Sequence, residues 1–528
     1  MIRITAKGNK RLAGLLAAAL LLIALFLNIF PLNVSAEKSE AKNIMQGCSL
    51  IASENAGALQ NLWDSKVTTV WKASAGSTLT IKSPAPIGGL YILWDRDPVA
   101  WTLSDPKETI MDGGADGFLH EYVPVSTEAA FDGKYVLTMT MHEAASIADL
   151  YVLSPGVLPS WVQTWQPMLE KADMLAFSTH ADDELLWFGG TLPMYAGQYK
   201  KKVQVAYLIY HGAARNEYFR NHELLDGLWT VGVTNYPMIC RQFEDYYCSN
   251  LAEALKTYDE DAMREYAVML LRRFKPEVVV TQDENGEYGH GAHRLAVKVM
   301  KESVHLSSDS SKYPASAQEY GTWNVKKCYL HLYSEGSRIM PWEAPLPAFQ
   351  GKTGLEMAVK GYQCHKSQLK KWFRVEAEGS QYDCRKFGLY YTTVGPDKAK
   401  NDFLENTPAA VSAVITTAPV VTTTTTTTAP PTTATTTTTT ITTTATSLPA
   451  TTTTISSRTT VTAQPVIGGV TTQPSGPTAG GGWKVWLLVI AVVLLAGGAA
   501  SLIVYLRIRR LYTAGKQGEA SSAFPPRE

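Results

Sequence analysis

The stretch Met174-Leu-Ala-Phe-Ser-Thr-His-Ala-Asp-Asp-Glu-Leu-Leu-Trp-Phe-Gly-Gly190 decides the fold of the largest part of this 528-residue chain. It begins with an apolar run, Met174 to Phe177, that predicts a buried strand. A compact polar cluster follows, made of His180, Asp182, Asp183 and Glu184. The apolar run from Leu185 to Phe188 then fits the inner side of a helix. The cluster therefore lies where a strand passes into a helix, which is where ligands bind in open α/β sheets.

Two interpretations of this cluster are open from the stretch alone. Imidazole and carboxylate groups together suit a divalent metal ion such as Zn²⁺ or Fe²⁺. Alternatively, Asp182, Asp183 and Glu184 only cap a helix and complement its dipole, and His180 is a surface turn residue.

A second stretch favours the metal. The apolar run in Glu277-Val-Val-Val-Thr-Gln282 predicts another strand, and it leads into Asp283-Glu-Asn-Gly-Glu-Tyr-Gly-His-Gly-Ala-His293. The chain has only 10 His, and His290 and His293 both lie at the end of this second strand. Three residues apart, they would share one face of a helix that starts there. Two His and one Asp with an open position are typical of a catalytic zinc site.

Four ordered motifs resemble the PIG-L/LmbE-like de-N-acetylase family. Its His-Pro-Asp-Asp-Glu and Gly-Tyr-Gly-His-Pro-Asp-His signatures are similar to His180-Ala-Asp-Asp-Glu184 and Glu287-Tyr-Gly-His-Gly-Ala-His293. Its Arg-x-x-Glu helix with a Leu-Gly-Val end resembles Arg220-Asn-His-Glu223 with Val231-Gly-Val233. Its closing His-x-Ser-Gln segment resembles Lys360-Gly-Tyr-Gln-Cys-His-Lys-Ser-Gln368. The resemblance extends from Ala172 to Gly395.

The sequence departs from the family pattern in two places. Ala181 replaces a proline, which loosens the turn. Gly291 and Ala292 replace Pro-Asp, so any help that this aspartate gives a neighbouring histidine is absent.

The resemblance implies a role for each residue of the site. The metal ligands would be His180, Asp183 and His293, with Zn²⁺ as the expected ion and Fe²⁺ as the alternative. Asp182 would be the general base on a water molecule, and His290 would stabilise the oxyanion or protonate the leaving amine. Arg220 and Asp245 would contact the sugar. For Glu184 we expect a helix cap rather than a contact that supports a metal ligand.

Composition excludes some classes of partner. Lys and Arg number 48 and so do Asp and Glu, so the formal net charge is zero and no nucleic-acid partner is indicated. Hydrophobic residues make up 45% of the chain, which is enough for sizeable cores.

Two apolar segments predict the topology. Basic residues, an apolar run from Leu12 to Phe30 and the small residues 34–36 predict a secretory signal peptide over residues 1–36, with an uncleaved anchor as the alternative. Residues 483–506 predict a single transmembrane helix, because Val485 to Leu506 carries no charge and is long enough to cross a bilayer. Arginines follow this helix, so residues 507–528 are predicted to be a cytoplasmic tail. The residues between the two apolar segments are predicted to be extracellular.

The region before that helix, residues 406–482, is rich in Thr and Pro and predicts an extended stalk. All six Cys precede the stalk. Outside the cell they could form disulfides, and Cys240 with Cys248 and Cys364 with Cys384 are plausible local pairs.

The predicted extracellular head, residues 37–405, has two domains that meet between Pro155 and Gln166. Residues 37–157 contain short alternating runs, which predict an antiparallel β-sandwich or jelly roll. It weakly resembles discoidin-like, galactose-binding folds, so Trp71, Trp94 and Trp101 are either glycan-binding loop aromatics or, as we favour, core residues. Residues 168–405 alternate apolar strands with helices. That pattern predicts a Rossmann-like α/β domain, a parallel sheet with helices on both faces. The predicted strands are Met174–Phe177, Val203–Ile209 and Val278–Val280, and the predicted helices are Tyr218–Trp229, Leu251–Phe274 and His293–His305.

The expected function is that of a membrane-anchored extracellular hydrolase. It would remove the N-acetyl group of a GlcNAc-containing glycan, with an N-acetylated sugar and the membrane as partners. Two alternatives remain, a glycan-binding surface protein with an inactive head and an adhesin in which the stalk and sandwich are the functional parts.

Overall fold

A computed structural model describes residues 39–126, 133–212, 217–370 and 372–412 of the chain. The predicted signal peptide, transmembrane helix and tail, and the predicted stalk from residue 413 onward, lie outside these ranges. Among the described residues, no helix combines the length and the apolar character that a membrane crossing requires.

The N-terminal part is rich in β-strands, as predicted. One sheet has the strand order β1-β3-β8-β5-β6 and the other β2-β9-β4-β7, and every pairing within them is antiparallel. The strand bounds are β1 Ser49–Ala52, β2 Trp71–Ala73, β3 Thr78–Ser83, β4 Gly89–Trp94, β5 Trp101–Ser104, β6 Thr109–Gly113, β7 His120–Pro124, β8 Tyr135–Met141 and β9 Ala145–Leu153.

Alternating side chains build the core between these two sheets. In β3, Leu79 and Ile81 are buried, and they lie opposite Met139 and Leu137 of β8. These side chains share one apolar cluster with Ile92 and Val152 and other residues of the second sheet. The period-two pattern of a sandwich strand therefore places its apolar residues in a common interior.

The three tryptophans Trp71, Trp94 and Trp101 are completely buried. The indole N–H groups of Trp94 and Trp101 donate to Glu121 Oε2 at 2.9 and 3.1 Å, so their polar atoms are satisfied inside the core. The core interpretation is therefore right for all three, and their proposed contact with a glycan is wrong.

The second part is an α/β domain around a seven-stranded sheet of order β12-β11-β10-β13-β14-β16-β15. Its strands are β10 Met174–Ser178, β11 Val203–Tyr207, β12 Met238–Ile239, β13 Val278–Thr281, β14 Lys327–His331, β15 Arg338–Ile339 and β16 Lys386–Thr392. Neighbours from β12 to β14 pair in parallel.

The prediction of a purely parallel sheet is wrong at one edge. Strand β16 runs antiparallel to both β14 and β15. The segment before β16 crosses the carboxyl end of the sheet, where Ser367 and Phe373 line a cavity that also contains His180 and His293. A strand that starts from that end must run back along the sheet, opposite to the others.

Helices cover both faces of this sheet, as predicted. In β10, Met174 and Ala176 belong to one apolar cluster and Leu175 and Phe177 to another, because successive side chains point to opposite faces. The helices of this domain are α1 Asp183–Leu186, α2 Glu217–Thr230, α3 Leu251–Thr257, α4 Glu260–Phe274, α5 Gly291–Leu306, α6 Pro314–Tyr320 and α7 Gly354–Tyr362.

One predicted helix, Leu251–Phe274, is divided in two. Tyr258 is extended, with φ −117° and ψ 145°, and ends α3. Asp259 then begins α4, since its side chain accepts from the backbone N–H groups of Asp261 and Ala262. The Asp N-cap after an extended residue separates two helices that the apolar pattern had joined.

The six cysteines are free thiols, so the two predicted local disulfides are not formed. Cys364 lies beside Thr230, with 3.6 Å between Sγ and Oγ1. Cys384 is buried against Gly189 instead. The two residues of this pair thus have different surroundings despite their closeness in sequence.

The sandwich contacts the α/β domain directly. His120 Nε2 of β7 lies 2.6 Å from His222 Nδ1 of α2, and both rings are buried. The backbone N–H of Leu119 donates to the Tyr236 hydroxyl at 3.1 Å, and Asp97 pairs with Arg241. The sandwich therefore packs against α2, the helix that carries Arg220.

Candidate metal centre and active site

The two sequence motifs lie side by side, because they follow the neighbouring parallel strands β10 and β13. The backbone N–H of Thr179, just after β10, donates to Gln282 Oε1, just after β13, at 2.9 Å. The hydroxyl of Ser178 donates to the carbonyl of His180 at 3.0 Å and shapes the turn. The neighbouring parallel strands thus fix the two loops against each other at the carboxyl end of the sheet.

Three predicted ligand atoms form a compact triangle. His180 Nδ1 lies 3.2 Å from Asp183 Oδ2 and 3.0 Å from His293 Nε2, and those last two atoms are 3.2 Å apart. A tetrahedral Zn²⁺ with ligand distances of ~2.0–2.2 Å separates its ligand atoms by about 3.3–3.6 Å, slightly more than the sides of this triangle. The triangle and its nitrogen and oxygen donors therefore fit a zinc-sized ion. His290 also converges here, because His180, His290 and His293 offer nitrogens within 4.8 Å of one another.

The charges around the triangle favour a cation. Burial opposes ionisation of Asp183, but His293 and His180 hold the pKa of its carboxyl well below the usual range. Burial alone would lower the pKa of His180, yet Asp183 and Asp245 raise it to about 10. Two carboxylates around one imidazole thus attract positive charge to this point.

Asp182 and Asp183 are neighbours in sequence but have different surroundings. The backbone of Asp182 is left-handed, with φ 116°, so its side chain leaves the chain in another direction from that of Asp183. Its Oδ2 lies 3.5 Å from Arg220 Nη2, and the residue lines the cavity. Burial raises the pKa of Asp182 to about 7, although Arg220 opposes this.

Glu184 acts locally as a cap, as expected, but it is completely buried. Its Oε2 accepts from the backbone N–H of Asp182 at 3.0 Å and holds the strained turn. Burial raises the pKa of its carboxyl to about 8.

His290 lies beside the triangle rather than in it. Its ring centroid is 4.7 Å from that of His293 and 5.2 Å from that of His180, and it lines the cavity. Burial and the neighbours His293 and His180 lower its pKa to about 3. A neutral imidazole still offers one N–H to an oxyanion.

Steric contact explains why glycine follows His290. The N–H of Gly291 donates to the carbonyl of Cys248 at 2.8 Å, which a proline could not do. A Cβ at this position would lie 2.2 Å from the carbonyl oxygen of Asn250. The departure from the family proline therefore matches a close backbone approach in this chain.

The two predicted sugar-contact residues also line the cavity. Arg220 donates to the carbonyl of Ala181 in addition to its approach to Asp182. Asp245 lies 3.4 Å from His180 Nε2 and 3.3 Å from His211 Nδ1. Asp245 therefore orients the His180 ring so that Nδ1 faces Asp183 and His293, a role that the sequence analysis missed.

The cavity has a volume of about 390 Å³, within the ~300–1,000 Å³ of small-molecule sites. Several lining residues were given no role from the sequence: Leu186, His211, Phe219, Tyr247, Tyr288, Ser367, Gln368 and Phe373. Tyr288, Ser367 and Gln368 lie within the family motifs, which is a usable signal. His211 had another signal, because it comes shortly after strand β11, a third parallel strand that ends at this edge.

A buried pair anchors the loop that carries His290. Glu287 Oε2 lies 2.8 Å from His331 Nδ1 at the end of β14, and both side chains are fully buried. Burial would lower the pKa of His331, but Glu287 raises it above its ordinary value. The backbone of Glu287 is left-handed, with φ 60°, so the pair also holds a strained turn.

Comparison with known proteins finds a family whose sequence pattern includes the residues of this site. Residues 175–304 match the model of the PIG-L family, described as GlcNAc-PI de-N-acetylase. This match covers the strands β10, β11 and β13 and both sequence motifs, so the predicted resemblance to PIG-L/LmbE-like de-N-acetylases is confirmed.

Two curated relatives are similar to the same region. The 1D-myo-inositol 2-acetamido-2-deoxy-alpha-D-glucopyranoside deacetylase 1 of Catenulispora acidiphila is 28% identical over 179 residues, 30% of this chain and 54% of that protein. The mycothiol S-conjugate amidase of Streptomyces coelicolor is 33% identical over 119 residues, 22% of this chain and 36% of that protein. The chain thus spans about half or less of the length of these relatives.

Among solved structures, the N,N'-diacetylchitobiose deacetylase of Pyrococcus horikoshii is 17% identical, with a TM-score of 0.30. The match covers 38% of this chain and 72% of that one.

Proposed function

We propose that the PIG-L-like domain is a metal-dependent hydrolase that removes the acetyl group from an N-acetylated amino sugar of the GlcNAc type. The observation that carries this proposal is the triangle of His180, Asp183 and His293, with the carboxylate of Asp182 beside it in one cavity. The two relatives are a deacetylase of an acetamido-glucopyranoside and an amidase by name, which supports hydrolysis of an amide.

His180, Asp183 and His293 would hold the ion, for which we propose Zn²⁺ with Fe²⁺ as the alternative. Such an ion supplies Lewis-acid chemistry, since it polarises a carbonyl and lowers the pKa of water. The contact of Asp245 with His180 Nε2 keeps the His180 ring in the orientation that ligation requires.

The remaining groups have separate roles in the proposed reaction. Asp182 Oδ accepts a proton from the attacking water, and Arg220 balances its charge. The N–H of His290 donates to the oxyanion that develops on the acetyl carbon. When the C–N bond breaks, the leaving nitrogen takes up the proton that Asp182 received from water, and the products are acetate and the amine. Protonation of that nitrogen by His290 is the alternative role for this residue.

We further propose that the enzyme is a single-pass membrane protein whose head and Thr-rich stalk are extracellular. This rests on the two apolar segments and on the arginines after residue 506. Its substrate would then be a cell-surface or environmental glycan. Protease treatment of intact cells should remove a tag placed before the stalk and leave a C-terminal tag intact.

The activity is tested with the full chain in detergent. We expect acetate release from N-acetylglucosamine compounds, its loss on chelation, and its recovery with Zn²⁺. Glycan binding without acetate release from the metal-loaded protein would favour the alternative, a surface protein with an inactive head.

A further inference from the structure

Three aromatic side chains line the cavity, and a fourth, that of Trp372, lies against two of them. We call Tyr247, Tyr288, Trp372 and Phe373 the aromatic rim. The exposed fraction is 70% for Tyr247, 66% for Trp372 and 37% for Tyr288, whereas Phe373 is half-buried. Single exposed apolar side chains are ordinary, but a contiguous set beside a polar cavity marks a binding surface.

Neighbouring aromatic rings connect His293 of the metal triangle with the solvent-exposed Trp372. The ring centroid of Tyr288 lies 5.7 Å from His293, 5.5 Å from Phe373 and 6.0 Å from Trp372. Trp372 and Phe373 are in direct contact, with centroids 3.6 Å apart. Tyr247 reaches the cavity independently, 5.4 Å from His290. The rim is therefore an outward extension of the candidate active site.

The segment that carries Trp372 is attached at both ends. The backbone N–H and hydroxyl of Ser367 donate to the two carboxylate oxygens of Glu223 at 2.6 and 2.5 Å. After the tryptophan, the N–H of Cys384 donates to the carbonyl of Glu376 at 2.9 Å. These bonds anchor the chain five residues before Trp372 and four residues after it.

We propose that the aromatic rim is an outer subsite for the sugar attached to the residue that loses its acetyl group. This inference rests on the proposed function and assigns it an oligosaccharide substrate rather than a free monosaccharide. A pyranose ring has an apolar C–H face that packs on an aromatic ring, while its hydroxyl edge stays in water. The exposed indole of Trp372 offers such a face, and burying it gains apolar contact.

The test measures binding and acetate release for the full chain in detergent. The probes are N-acetylglucosamine and its β-1,4-linked tetramer. We expect the tetramer to bind at least about tenfold more tightly than the single sugar, a difference of about 1.4 kcal/mol. Trp372→Ala should remove most of this advantage and leave binding of the single sugar unchanged. Trp372→Tyr should retain much of it, because an aromatic face remains.

Trp63→Ala is the matched control, since Trp63 is 44% exposed but lies in the sandwich and does not line the cavity. Equal affinity for both probes, or an equal loss for both in Trp372→Ala, overturns the subsite. Acetate release separates this inference from the proposed function. Release that is independent of chain length and of Trp372 keeps the deacetylase and rejects the subsite. Length-dependent binding through Trp372 without any release keeps the subsite and rejects the deacetylase.

Discussion

The Nδ1 atom of His180 and the Nε2 atom of His293 lie 3.0 Å apart, although 113 positions separate the two residues in the chain. One follows strand β10 and the other lies in the first turn of α5, which follows β13. Both face Asp183 Oδ2 at 3.2 Å. Two buried imidazole nitrogens and a carboxylate oxygen in such a triangle are arranged for a shared cation.

Removal of either histidine should abolish stoichiometric metal in the purified protein. His180→Ala and His293→Ala each delete one of three protein ligands, so bound metal measured by elemental analysis should fall from one ion per chain to a small fraction. His305→Ala is the control, because His305 is exposed in the last turn of α5. Full metal content in both site variants would refute the assigned ligands.

Asp245→Asn should weaken metal binding even in the absence of substrate. The change keeps the size of the side chain but removes the charge that faces His180 Nε2 at 3.4 Å. Loss of such an outer partner lowers metal affinity by ~10–100-fold. Titration with a competing chelator measures this. If Asp245→Asn changes only KM for the sugar and not the metal affinity, Asp245 is a substrate contact alone.

Gly291→Ala should destabilise the head by ~1–3 kcal/mol, the usual cost of forcing extra atoms into a packed site. The new Cβ would meet the carbonyl of Asn250 at 2.2 Å and displace the start of α5, which carries His293. Both the denaturant midpoint and the metal content should fall. Gly57→Ala serves as control, because a Cβ there meets nothing within 4 Å. Identical behaviour of the two variants would show that the helix start can adjust.

The Glu287–His331 pair predicts a pH-dependent contribution to stability. The pKa of His331 is raised in the folded protein, so the pair contributes fully below the unfolded value of ~6.5 and less as pH rises through the folded pKa. The loss of unfolding free energy caused by Glu287→Gln should therefore be larger at pH 6 than at pH 9. Glu302→Gln removes a surface partner of Lys298, a pair that keeps its charges over this range, and its effect should stay constant. A loss for Glu287→Gln that does not change with pH would contradict a charged pair.

Sequence patterns predicted those parts of the structure that depend on local order. The apolar runs before His180 and before His290 each produced a parallel strand, and the motifs after them met at one edge. The antiparallel direction of β16 could not be predicted from its own residues. It depends on the end of the sheet from which the preceding segment enters the strand. Likewise, the Asp259 cap between α3 and α4 was hidden within a continuous helical pattern.

The candidate site was predictable only where a motif gave a residue its role. Tyr247 and Trp372 come from separate loops with no shared spacing, so only the fold brings them near the same cavity. The role of Asp245 was also incomplete, since its contact with His180 depends on the loop after β12. Conversely, the burial of Trp101 follows from its place in an alternating strand, whereas Trp94 lies in a strand that is buried throughout. Glu121 accepts from the indole N–H groups of both.

One paired measurement tests whether Asp182 is the base and Asp183 a metal ligand. Bound metal and acetate release are determined for Asp182→Asn and Asp183→Asn with the same N-acetylglucosamine oligomer. Asp182→Asn should keep its metal and its substrate affinity, while turnover falls by ~10²–10⁴, the usual contribution of general acid–base catalysis. Asp183→Asn should lose metal, and excess Zn²⁺ should partly restore its rate. Loss of metal in Asp182→Asn with full metal in Asp183→Asn would reverse the two roles, and unchanged acetate release in both would contradict the account.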